Sequence, residues 1–280
     1  MNNQTYTFKP IRFFSIVFML TWVFWITAAF VGRSGEGGGT TLTLMLMGLL
    51  VPSVTAICMV LFSNSVGLKR DFRNKLLGLS RVRPLDVLIS VMAFCVIIAV
   101  SILLSTLFGQ SLGQFAFVEG FSFSIGGVSA LLILVLTAFL EELGWRGYAM
   151  DSIATNCNWW KTSLIFGVVW SLWHFPLFFI PETYQYNILQ ESPWFMVNFF
   201  VSIVPMVFLF TWVYVKNNRS ILACMFFHFA VNFLQEQIAM TPITKCVETI
   251  VLFVAAGIVV ALNKELFFEK KHIGNLLEES

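Results

Sequence analysis

Apolar residues run through this chain in long blocks separated by short polar breaks. A helix needs about 20 mostly apolar residues to cross a bilayer. Blocks of that size fall at roughly 11–31, 41–62, 86–108, 126–148, 161–180, 194–215, 220–238 and 245–262, which predicts eight spanning helices. The breaks carry turn chemistry. Gly35 to Gly39 form a flexible first loop, Pro84 precedes the third block, and Pro181 and Pro193 bracket the fifth connection. The expected fold is an all-α, polytopic integral membrane bundle of about eight transmembrane helices. Along it we read a three-span region over 1–124, a core over 125–240, and a last span with its tail over 241–280, all in one membrane domain. No internal repeat of the kind that marks many transporters is visible.

The ends refine this reading. The first block, Ile11 to Val31, is too long for a signal-peptide core and lacks a small-x-small cleavage site, so it is expected to persist as a span. The final Leu276-Leu277-Glu278-Glu279-Ser280 carries no prenylation box. Five cysteines, Cys58, Cys95, Cys157, Cys224 and Cys246, show no CxxC spacing and read as small buried hydrophobes.

Composition fits: 58% of residues are hydrophobic and 11% charged, against about 25% charged in soluble domains. No basic patch suggests nucleic acid; membrane lipids are the expected surroundings. Cytoplasmic loops are enriched in Lys and Arg. With the N-terminus cytoplasmic and eight crossings, 15 of the 17 basic residues fall on the cytoplasmic side and only Arg33 and Lys245 on the other. Both termini are therefore expected in the cytoplasm of a multi-pass cell-membrane or endoplasmic-reticulum-like protein. The basic stretch Lys69 to Arg83 reads as a topology determinant touching anionic headgroups.

Against this background the ionisable residues inside the blocks are informative, because such groups are costly in a bilayer and mark functional sites by default. Glu141 and Glu142 are adjacent near the end of the fourth block, with Arg146 one turn on. Glu142 and Arg146 are i, i+4 neighbours, while Glu141 is rotated by about 100°. Glu142 is thus expected to pair with the guanidinium, and Glu141 to stay available as a base or acid. His174 follows Trp170 by one turn in the fifth block. His228 and Asn232 share a face of the seventh and offer two donors for a developing oxyanion. A carboxylate, a histidine and a donor pair from three spans suit general-base attack of water on a carbonyl. Asp86 and Asp151, at span ends, read as caps or interface residues, and Glu236 and Glu248 as interfacial.

Glu141-Glu142-x-x-x-Arg146, Trp170-x-x-x-His174 and His228-x-x-x-Asn232 resemble the motifs of the CPBP family, which includes type II CaaX prenyl endopeptidases and proteins of bacteriocin processing or immunity. The family more often has Phe where Trp170 stands. The resemblance covers about residues 125–240. It implies an intramembrane endopeptidase in which Glu141 and His174 activate water, His228 and Asn232 form the oxyanion hole, and Glu142 and Arg146 organise the site. It also implies a lipidated or membrane-associated peptide or protein substrate. The family is described both as glutamate proteases and as metalloproteases (metalloendopeptidase activity). A zinc set would be Glu141, His174 and His228, and the metal-free form, with no cofactor, is the favoured expectation. The site is expected toward the cytoplasmic side, although 13 residues separate Lys161 from His174, about 20 Å of helix. Two rivals remain: a non-proteolytic immunity or scaffold protein, and a proton-coupled transporter whose carboxylates would need a relay across the membrane.

Overall fold

The computed structural model describes residues 6–34, 38–120 and 129–269. Among them the chain is helical, with a single isolated antiparallel bridge between Phe117 and Ile238. The helices are α1 (Pro10–Arg33), α2 (Gly38–Leu61), α3 (Val66–Leu77), α4 (Pro84–Ser105), α5 (Ala130–Gly144), α6 (Met150–Ala154), α7 (Trp159–Trp173), α8 (Tyr184–Glu191), α9 (Pro193–Lys216), α10 (Ile221–Gln237), α11 (Pro242–Leu262) and α12 (Lys264–Phe268). A π-helical turn, Trp145–Ala149, joins α5 to α6 without a break.

Local sequence explains where these helices begin. Proline stands in the first turn of α1, α4, α9 and α11, where a missing N–H costs nothing. Ser220 caps α10 and Asn158 caps α7 through side-chain oxygens that accept from Ala223 and Lys161 amides. Six helices among the described residues are long and apolar enough to cross a membrane: α1, α2, α4, α7, α9 and α11, with α4 and α7 extended by 3-10 turns. The other two expected spans map to α5 and α10, of 15 and 17 residues. Helix α5 runs on through the π turn into α6, and the described helices are compatible with eight crossings. The expected first loop lies outside the described residues at 35–37, while Gly38 and Gly39 already form the first turn of α2. The start of the fourth block at 126–128 and the tail from Lys270 on, with His272, also lie outside them.

Close approach of α2 and α5 fixes the middle of the bundle. A Cβ on Gly144 would stand 2.6 Å from the Cβ of Pro52, so only glycine fits. One turn away, the Ser53 hydroxyl donates to the Leu140 carbonyl.

The two described chain ends lie together. The Tyr6 hydroxyl meets that of Tyr148 at 2.9 Å, and Phe268 stacks on Trp160 at the start of α7. A cavity of about 1010 Å³ opens at the opposite end, rimmed by Gly39 at the start of α2, Pro181, Gln185 and Pro242. The described chain ends and the cavity mouth are therefore at opposite ends of the bundle. Cytoplasmic termini and a site toward the cytoplasm cannot both hold, which corrects the expected pairing. The depth problem disappears with it, since His174 sits at the end of α7 nearest the mouth.

In a background with its five cysteines replaced, Gly39→Cys and Lys264→Cys are expected to react with a membrane-impermeant maleimide from opposite sides of sealed vesicles. Labelling of both from the same side would refute this topology.

Candidate active site

The cavity floor is assembled from three helices. Glu141, on the last turns of α5, His174, at the C-terminus of α7, and His228 and Asn232, on α10, all line it. Glu142 and Arg146 do not; they lie fully buried beneath it.

Glu141 is held by two indoles. Its Oε2 accepts from Trp145 Nε1 at 3.2 Å and from Trp170 Nε1 at 3.0 Å. With one oxygen occupied, the other serves the cavity. Trp145 comes from the same helix, one turn on, and Trp170 from α7.

His174 ends α7 because Pro176 follows two residues later and cannot continue the hydrogen-bond ladder. Its Nδ1 lies 2.7 Å from the carbonyl of Trp170. A carbonyl only accepts, so Nδ1 carries the proton, and the neutral ring keeps its lone pair on Nε2.

Below the floor, Glu142 Oε1 accepts from Arg146 Nη1 and from His228 Nδ1, each at 2.8 Å. The Arg146 guanidinium is enclosed by Phe210, Phe166 and Trp170, with ring centroids at 4.6, 5.4 and 5.5 Å. Rings present their negative faces to a cation and replace part of its lost hydration. Because Nδ1 of His228 serves Glu142, its Nε2 donates only when the ring is an imidazolium, with Glu142 as counter-ion. The expectation of a simple ring donor is refined accordingly.

The π-helical turn carries Arg146, and π turns free carbonyls from the regular ladder. Lys75 Nζ donates to the carbonyls of Arg146 and Gly147 at 3.1 and 2.9 Å, and Tyr214 donates to that of Arg146 at 3.0 Å. Lys75 also donates to Asp151 at 2.6 Å, and the single Tyr214 hydroxyl hydrogen is shared between the Arg146 carbonyl and Asp151, also 3.0 Å away. Arg219 bridges Asp151 at 2.5 Å and Asp71 at 2.6 Å. Asp151, beyond the expected end of the fourth span, is not a cap but the centre of a buried cluster. Burial alone would raise its carboxyl, but Arg219 and Lys75 outweigh that and hold it below the ordinary range. Its contribution to stability is present above the ordinary carboxylate pKa and is lost as pH falls through the lowered one. Lys75 likewise leaves the expected headgroup-facing stretch and is fully buried.

Two further expectations change. Glu248 is not interfacial; it is buried in the cavity wall and accepts from Gln235 Nε2 at 2.6 Å. Glu236 lines the cavity too. Below the floor the Glu142–Arg146 pair continues into the Asp151 cluster. That chain is ion-paired and buried, which makes it a brace.

A zinc set would need Glu141, His174 and His228 to converge. Among the described residues, no three His, Cys, Asp or Glu side chains are close enough to hold one ion. The residues as placed do not fit a zinc centre, and no step below runs through one.

The model of the family described as "Type II CAAX prenyl endopeptidase Rce1-like" matches residues 123–234. The chain is also similar to the "CAAX prenyl protease 2" of Methanococcus maripaludis, at 41% identity over 267 residues, covering 95% of this chain and 98% of that one. The chain belongs to the Rce1-like family. It is a multi-pass intramembrane endopeptidase of that CaaX type.

Sequence reading missed the parts of this Rce1-like site that hold the floor in place. Trp145 was legible, being i+4 from Glu141. Trp170 is legible as an aromatic one turn before His174, while its N–H bond to Glu141 crosses from α7 to α5 and has no local pattern. Lys75, Tyr214, Asp151 and Arg219 come from distant segments, with no local signal.

Asp151→Asn leaves the buried Lys75 and Arg219 with Asp71 as the one carboxylate between them. The expected loss is about 3–5 kcal/mol of stability, read as a lower unfolding temperature in detergent. Trp170→Phe keeps the ring and removes one donor to Glu141. A roughly tenfold lower kcat, at unchanged unfolding temperature, is expected from the loss of one charge-assisted hydrogen bond. An unchanged kcat would remove Trp170 from the positioning of Glu141.

Proposed function

We propose that this chain cleaves a prenylated or otherwise membrane-anchored protein near its C-terminus, using metal-free, carboxylate-assisted attack of water. The observation that carries this reading is the convergence of Glu141, His174, His228 and Asn232 on one membrane-embedded cavity. Glu141 Oε1 and His174 Nε2 are the two acceptors that face it, and together they take a proton from a water placed between them. The hydroxide forms the C–O bond and pushes the peptide carbonyl to an oxyanion. Asn232 Nδ2 and the His228 imidazolium donate to that oxygen. The proton held at Glu141 and His174 then passes to the departing amine as the C–N bond breaks. Glu142, itself held by Arg146, sets the His228 ring and supplies the negative charge it faces.

The wall opposite this polar floor supports a lipid-bearing substrate. Leu42 and Leu46 of α2 and Ile133 and Leu134 of α5 line the cavity, and Leu46 is 41% exposed. The two helices touch at Gly144 and Pro52, and toward the mouth their facing residues line open space. A prenyl chain fits such an apolar wall and reaches it from the bilayer. The basic residues favour cytoplasmic termini; with the mouth at the other end of the bundle, a lateral path between α2 and α5 is the proposed route of the lipid. Neither the scaffold nor the transporter alternative has an observation of its own.

The test is cleavage of a quenched fluorescent farnesylated CaaX peptide by purified protein. Wild type is expected to cleave it. Glu141→Gln and His174→Ala are expected to lose a hundredfold or more, on the order of a general-base contribution, and a chelator is expected to change nothing. Full activity of Glu141→Gln would refute the assigned base, and chelator-sensitive cleavage would refute the metal-free mechanism.

A further inference from the structure

Lys245 occupies an unusual place. It is one of two basic residues at the mouth end of the bundle, and the only Lys or Arg among the described residues that line the cavity. The other charged residues in that lining are the carboxylates Glu141, Glu182, Glu236 and Glu248. Its Nζ lies over the Tyr184 ring, 4.4 Å from the centroid, and its carbonyl accepts from Asn198 Nδ2 at 3.2 Å, so side chain and backbone are both fixed against the wall. No carboxylate of a described residue comes within ion-pairing distance of its Nζ.

Its height above the floor can be read from the helices. Gln235 on α10 meets Glu248 on α11, which brings the two helices level there. Asn232 and His228 lie three and seven residues below Gln235, and Lys245 lies three residues above Glu248 because α11 runs the other way. At 1.5 Å per residue, Lys245 stands about 9 Å above Asn232 and about 15 Å above His228. Three extended residues span roughly 10 Å. A peptide whose scissile carbonyl is held beside Asn232 therefore brings a carboxylate three residues downstream to about the height of Lys245.

We propose that Lys245, steadied by Tyr184, is the subsite for the free C-terminal carboxylate of the substrate, and that it sets the cut three residues from the chain end. The proposal rests on the endopeptidase reading above. An ammonium in a cavity walled by protein and lipid is poorly screened, so a matching carboxylate gains more there than on an open surface. The surrounding glutamates repel a misplaced carboxylate, which leaves one place for it. The site acts as a ruler: one end is the oxyanion donors, the other the ammonium, and the distance between them selects the leaving tripeptide.

The experiment uses two prenylated peptides of the same sequence, one ending in a free carboxylate and one in a carboxamide. Each is assayed with full-length wild type, Lys245→Met and Lys245→Arg, with unfolding temperature and residual carboxamide cleavage reporting a folded enzyme. Wild type is expected to prefer the free acid by tenfold or more in kcat/KM, mostly through KM. The acid-to-amide ratio is expected to collapse toward one in Lys245→Met and to be largely kept in Lys245→Arg. A ratio near one in wild type, or the same ratio in wild type and Lys245→Met, overturns the assignment while leaving the endopeptidase intact. No cleavage of either peptide by wild type overturns the endopeptidase reading and the assignment with it.

Discussion

One oxygen, Oε1 of Glu142, accepts from both Arg146 and His228, and the geometry of the floor depends on it. A carboxylate taken wholly out of water is costly unless its partners are placed well. Here the partners are the residue that anchors the π-helical turn and the residue that presents an imidazole to the cavity. The guanidinium is enclosed by three rings and its backbone carbonyl is held from below by Lys75 and Tyr214. Arg146 therefore cannot move without disturbing two buried charge groups, and through Glu142 it fixes His228. Glu141, one residue earlier, is turned by the same helix toward the opposite environment, where two indole N–H groups hold one oxygen. Adjacent glutamates thus receive different roles from helix rotation alone.

The spans and their order were legible because lipid imposes a simple rule of length and apolarity. So was the split between Glu141 and Glu142, which follows from helical spacing, and so was the grouping of His228 with Asn232. What escaped notice had no local pattern. Lys75 looks like one more cation in a basic stretch, and nothing near it in sequence announces that it enters the protein. Asp151 resembles a helix-end residue until Arg219, 68 positions later, is brought beside it. Glu248 looks interfacial because it stands near the start of a helix, yet the cavity extends that far.

The end at which the cavity opens was also hidden. Hydropathy and basic residues report which end of each helix faces which compartment, but they do not reveal where the helices diverge. That is decided by packing: Gly144 lets α5 touch α2 at Pro52, and the space opens toward the other end. A rule about loops and a rule about contacts answer different questions, and only the second locates a mouth.

The Asp151 cluster has a consequence for biogenesis. Its members, Asp71, Lys75, Asp151, Tyr214 and Arg219, come from segments made far apart in time. A ribosome delivering this chain exposes Asp71, Lys75 and Asp151 well before their last counter-charge emerges. Until Arg219 leaves the exit tunnel, the aspartates outnumber the cation that accompanies them, and they are best kept hydrated at the membrane surface. The π turn cannot be locked before then, so early helices insert with an unfinished floor. Closure of the cluster completes the brace beneath the floor, and His228 and Asn232, made later still, are then added to a support already in place.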